Sequence, residues 1–173
     1  MADRFPGEIT LGGHIPLRLL DELAERIASE GLGINWQEAL DPTAVRRAIE
    51  LAAERSETVR FTDDEALYGQ FEELEDWLTR HGIDFDRHSD ARYEHDAENV
   101  YGRGRRKPVV MSSDQSGGDL VSVESIREIL GCRDAPVRKL ARIAKLVAVP
   151  QALTPIVLMG ASASMTGRSP GSS

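Results

Sequence analysis

The chain reads as an α+β (or α/β) domain, a ferredoxin-like sandwich in which helices pack on a largely antiparallel sheet of four to five strands. A C-terminal amphipathic helix and a disordered tail complete the expectation. Two observations predict it. Segments that alternate apolar and polar residues, as in 83–88, are interleaved with segments of helical periodicity, as in 66–80. Helix-boundary residues punctuate them: Asp41-Pro42 at a start, and Gly31, Gly82 and Gly131 at three stops. Residues 1–131 are read as a single domain, 132–159 as a basic amphipathic helix with an apolar extension, and 160–173 as a disordered Gly/Ser-rich tail.

Taken in order, residues 8–11 predict a short first strand closed by Gly12-Gly13. Pro16 opens a helix to about residue 30, with Leu17, Leu20, Leu23, Ala24 and Ile27 on one side. Residues 32–36 predict a second short strand. Asp41-Pro42 then starts a helix to Arg55 with a thin inner face of Val45, Ala48, Ile49 and Ala52. A strand at 59–62 passes through an acidic cap, Asp63-Asp64-Glu65, into a helix over 66–80. Its apolar stripe is Leu67, Phe71, Leu74, Trp77 and Leu78. Strand 83–88 follows, then a partner segment at 93–101, a last strand at 108–111, and a helix at 122–130. Residues 137–147 predict a helix with Leu140, Ile143, Ala144 and Val147 set against Arg138, Lys139, Arg142 and Lys145, expected to dock on the acidic part of the chain.

The charge is unevenly divided. Residues 1–100 hold 24 acidic residues against 10 arginines, whereas 101–173 hold 11 basic residues against 5 acidic ones. The acidic part would repel phosphates, which disfavours nucleic-acid binding there. A single cysteine, Cys132, excludes an internal disulfide framework. The first residues carry no apolar secretory core, and the longest apolar run, 146–159, is broken by Pro150 and Pro155. A soluble, cytoplasmic protein with no membrane association is therefore expected.

No recognised catalytic spacing is present. The leading expectation is a small acidic, non-enzymatic interaction or regulatory protein. It would hold a basic protein partner, nucleic-acid mimicry being one form of this, through Asp63, Asp64, Glu65, Glu72, Glu73, Glu75 and Asp76, and it implies no cofactor. The alternative is a hydrolase dependent on a divalent metal. Asp86 and His88 lie two apart on a strand, and His95 joins them if its segment pairs back; imidazole and carboxylate suit zinc, manganese or iron. A third reading is nucleic-acid binding through Arg103, Arg105, Arg106 and Lys107, four cations within five residues flanked by glycines.

Overall fold

The computed structural model describes residues 4–91, 96–114, 116–148 and 150–160. It begins with β1 (Arg4–Gly12), in which Phe5, Ile9 and Leu11 are buried on one face while Glu8 and Thr10 point to the other. The three-residue β2 (His14–Pro16) and one 3₁₀ turn (Leu17–Leu19) lead into α1 (Leu20–Ser29). α2 (Pro42–Arg55) starts where the sequence places it: the Asp41 carboxylate accepts the Ala44 N–H at 2.9 Å, with Pro42 in the first position. The strand expected at 32–36 is reduced to a single bridge between Gly33 and Thr62. Asn35 and Trp36 both have positive φ and turn the chain away from further pairing.

β3 (Val59–Leu67) is longer than the expected 59–62 and absorbs Asp63-Asp64-Glu65, which the sequence reading placed at a helix start. Pairing with β1 holds the extension, since Phe5 aligns with Ala66 and Arg4 with Leu67 beyond a register shift between Phe5 and Gly7. Tyr68 and Gly69, both at positive φ, turn the chain, so α3 (Glu72–His81) begins later than residue 66. Leu67 is consequently an exposed strand residue, whereas Phe71, Leu74, Trp77 and Leu78 are buried. Gly82 ends α3 in the left-handed region, at φ 73°.

β4 (Asp84–Ser89), β5 (Glu98–Gly102), β6 (Val109–Ser113) and β7 (Asp119–Leu120) continue as an antiparallel meander. The Ser122 side chain caps α4 (Val123–Gly131), which forms a hairpin with α5 (Pro136–Leu146). α5 buries none of its residues, so the expected docking is not what the fold provides. Nor is α5 the terminal element: the chain returns as β8 (Val157–Met159), parallel to β2, with Ile156 inside the core. The tail expected at 160–173 lies, beyond Gly160, outside the described residues.

The sheet order is β3-β1-β4-β5-β6-β7, and every neighbouring pair is antiparallel. The fold is thus α+β with six strands in its main sheet, not four to five. A split βαβ unit needs parallel strands on either side of its helix. Here β1 and β3, which flank α1 and α2, are adjacent and antiparallel and do not form such a unit, whereas β3 and β4 run parallel on either side of β1 and form one with α3, so one of the two expected split units is present.

Helices α1 to α3 pack Leu23, Ile27, Val45, Ile49, Leu74 and Trp77 into one core with Ile9, Phe61 and Phe85 of the sheet. A charged link runs beside this core. Arg87, on the helix-covered face of β4, is 3% exposed. Its Nε lies 3.0 Å from Glu75 Oε1 of α3, its Nη1 donates to Ser89 Oγ at 3.0 Å, and it also pairs with Glu98 of β5. Burial pushes the Glu75 carboxyl above its usual range, and the adjacent guanidinium works against that rise.

Arg87→Ala is expected to cost about 3–5 kcal/mol at neutral pH, read by urea unfolding, because it strands a buried carboxylate. The cost should shrink as pH falls: Glu75, already titrating high, then takes up a proton and buries no net charge. A loss that does not change with pH would mean that Arg87 contributes packing alone.

Candidate functional site

Polar chemistry is gathered on three surfaces. The first is the sheet face opposite the helices. Strand alternation places Glu8 and Thr10 of β1, Asp86 and His88 of β4, and Asn99 and Tyr101 of β5 there together. In register, His88 lies between Glu8 and Asn99, and Asp86 between Thr10 and Tyr101. These side chains line a concavity of about 390 Å³ with Ser116 and Gly117 at its rim. Asp114 folds that rim: its Oδ1 accepts the Ser116 hydroxyl at 2.6 Å and the amides of Ser116 and Gly118 at 2.8 and 2.9 Å. The Ser116 hydroxyl and these amides hold the Asp114 carboxyl below its ordinary range.

A chain of hydrogen bonds crosses the concavity. Asn99 Nδ2 donates to Gly117 O at 2.9 Å and to Asp119 Oδ1 at 2.8 Å, which turns its Oδ1 toward His88 Nδ1 at 2.7 Å. His88 Nδ1 is thereby a donor, and Nε2 stands 3.3 Å from Asp90 Oδ1. The Tyr101 hydroxyl donates to Asp119 at 2.8 Å. Burial, reinforced by the Asp119 carboxylate, pushes the Tyr101 phenol up to about 12. Asp86 is also raised, by burial first, although Arg103 Nη1 lies 2.6 Å from its carboxylate and opposes the rise.

Of the three expected metal ligands, Asp86 and His88 share this face, and His95 lies outside the described residues. Asp86 is engaged by Arg103 and His88 by Asn99. Among the described residues, no group of three or more His, Cys, Asp or Glu side chains is arranged to hold a metal ion.

The second surface is acidic. A groove of about 560 Å³ runs between the end of α1 and the start of α3, lined by Glu30, Leu67, Tyr68, Gln70, Glu72 and Glu73. Leu67 and Tyr68 are 48% and 37% exposed. Asp63, Asp64 and Glu65 lie along the end of β3, and Glu72 and Glu73 occupy the first turn of α3. None of these five, nor Asp76, makes an ion pair among the described residues. Glu75, expected with them, is instead turned inward to Arg87. Glu30 records the resulting field: burial first, then Glu73, Glu75 and Asp63, push its carboxyl up.

The third surface is basic and sits at the other end of α3. Arg105 packs over Gly82, its Cγ within 3.2 Å of where a Cβ would stand. Arg103, Arg106 and Lys107 instead line a cleft of about 650 Å³ that is closed on its far side by Ala148, Pro150 and Gln151. The four expected cations therefore divide, three to the cleft and one to the helix end.

No protein-family model, curated protein or solved structure matches the chain. The functional reading rests on these surfaces. The sequence singles out Asp86 and His88 but not Glu8, Thr10, Asn99 or Asp119, which surround them with Tyr101. Alternation alone could have put Glu8 with Thr10 and Asn99 with Tyr101. It could not say which strands are neighbours.

Asp119→Asn should bring the Tyr101 phenol down from about 12 toward the ordinary tyrosine range, since it removes the charge that disfavours phenolate. Phenolate absorbance in an alkaline titration reads this directly. An unchanged titration would show that burial alone sets the shift.

Proposed function

We propose that this chain is a non-enzymatic interaction protein that captures a basic segment of a protein partner in the acidic groove at the start of α3. One observation carries the reading: carboxylates without ion-pair partners among the described residues surround exposed Leu67 and Tyr68. Uncompensated acids repel one another and are relieved by an incoming cation, while the apolar floor gives an anchor its contact area. An amphipathic segment with Lys or Arg beside leucine-like residues fits both requirements. The basic surface of a nucleic-acid-binding protein qualifies, the carboxylates of Asp63, Asp64, Glu65, Glu72, Glu73 and Asp76 then standing in for phosphates.

The hydrolase reading is weaker on chemical grounds. Asp86 and His88 are already held by Arg103 and Asn99, so a metal would have to displace those partners before coordinating.

The double charge reversal Glu72→Lys with Glu73→Lys tests the proposal against a basic amphipathic peptide. Both side chains are exposed, so the melting temperature should stay within a few degrees. Peptide affinity of the unaltered chain should weaken as salt is raised, and the reversal should weaken it by about tenfold or more. Equal binding by both proteins would remove the reading.

A further inference from the structure

We propose a second, independent site: the cleft between the loop carrying Arg106 and Lys107 and the segment carrying Pro150 and Gln151 binds a nucleoside phosphate. Its volume of about 650 Å³ falls in the range of small-molecule sites. Its walls are of two kinds. Arg103, Arg106 and Lys107 supply cations, and the Tyr101 ring, Val109, Ala148 and Pro150 supply apolar area.

The cations differ in state. Arg103 is fixed and its charge is met by Asp86, 2.6 Å from Nη1: Nη1 also donates to Phe85 O and Gly102 O at 2.8 Å, Nε donates to Gln151 O at 2.9 Å, and the guanidinium carbon lies 6.0 Å from the Tyr101 ring centroid. Its Nη2 is buried with no hydrogen-bond partner. Arg106 and Lys107 are exposed and make no ion pair among the described residues. Arg106 and Lys107 are therefore the charges left for a phosphate, which relieves their mutual repulsion, while Arg103 holds the adjoining wall in place.

Charge also orients the ligand. Asp84 stands in the cleft, accepting the Gly104 N–H at 2.7 Å, and keeps an anion away from that side. The phosphate is directed to Arg106 and Lys107, which leaves the apolar wall to a planar ring. Inorganic phosphate would use the cations and leave that wall wet. A duplex could not enter a cleft of this volume, whereas one nucleotide can, either free or as the end of a single strand.

The test titrates the full chain, by calorimetry, with AMP, ATP, inorganic phosphate and a short single-stranded oligonucleotide. AMP should bind at least tenfold more tightly than inorganic phosphate. Arg106→Ala with Lys107→Ala, at exposed loop positions, should weaken AMP binding about tenfold or more. Val109→Asp, also exposed, should weaken AMP more than it weakens phosphate. An oligonucleotide that competes with AMP assigns the natural source to a strand end, and one that does not assigns it to a free nucleotide. AMP binding no tighter than phosphate, or unaffected by the loop variant, overturns the proposal. Because the acidic-groove reversal lies at the other end of α3, it should leave AMP binding unchanged, and the two sites stand or fall separately.

Discussion

Arg87 is the constraint on which the rest of the arrangement depends. A guanidinium buried on the helix-covered face of β4 has to meet acceptors, and it finds Glu75 on α3, Glu98 on β5 and Ser89 on its own strand. Apolar side chains tolerate several alignments of α3 on the sheet, whereas the buried pair requires one that keeps Glu75 within reach of Arg87. Fixing α3 also fixes what its ends present. Acidic residues gather at its N-terminus and Arg80, His81 and Arg105 at its C-terminus, the distribution that the helix dipole favours. Ten residues of helix, roughly 15 Å, therefore separate an acidic surface from a basic one.

The two faces of the sheet divide the work of the chain. The covered face carries the aromatic and aliphatic core, in which Trp77 adds a polar anchor by donating from Nε1 to Glu22 at 2.7 Å. The open face needs no such packing, and its residues are joined by hydrogen bonds instead, from His88 through Asn99 to Asp119 and Tyr101. Asn99 is 5% exposed although it sits on the uncovered side, because the rim folded by Asp114 closes over it. A loop and β7, rather than a core helix, thus supply the partners of this buried polar residue.

Much of the local structure was legible in the residues, and the reasons it was so are specific. Asp41-Pro42, Ser122 and Gly82 act through bonds and dihedrals formed within one turn, so their signals survive without tertiary context. The acidic run Asp63-Asp64-Glu65 misled because a capping residue and an edge-strand residue look alike in sequence; pairing with Arg4 and Phe5 across sixty positions decided between them. β2, β7 and β8 are two or three residues long and carry no periodicity to detect. The candidate surfaces were half visible. Carboxylate and arginine clusters show in the chain as written, whereas the apolar floor at Leu67 and Tyr68 and the wall at Val109 and Pro150 arise only from folding.

The pairing of β2 with β8 joins His14 to Val157, and Gly13 N–H to Thr154 O at 2.9 Å. Ile156 fills the core from the far end of the same segment. During synthesis β1, β3 and β4, the centre of the main sheet, are all made by Ser89, yet the segment carrying Ile156 and β8 follows only about seventy residues later. Until then the core lacks Ile156 and β2 lacks its partner strand. The order of translation thus sets a waiting time in which this fold must stay clear of other unfinished chains.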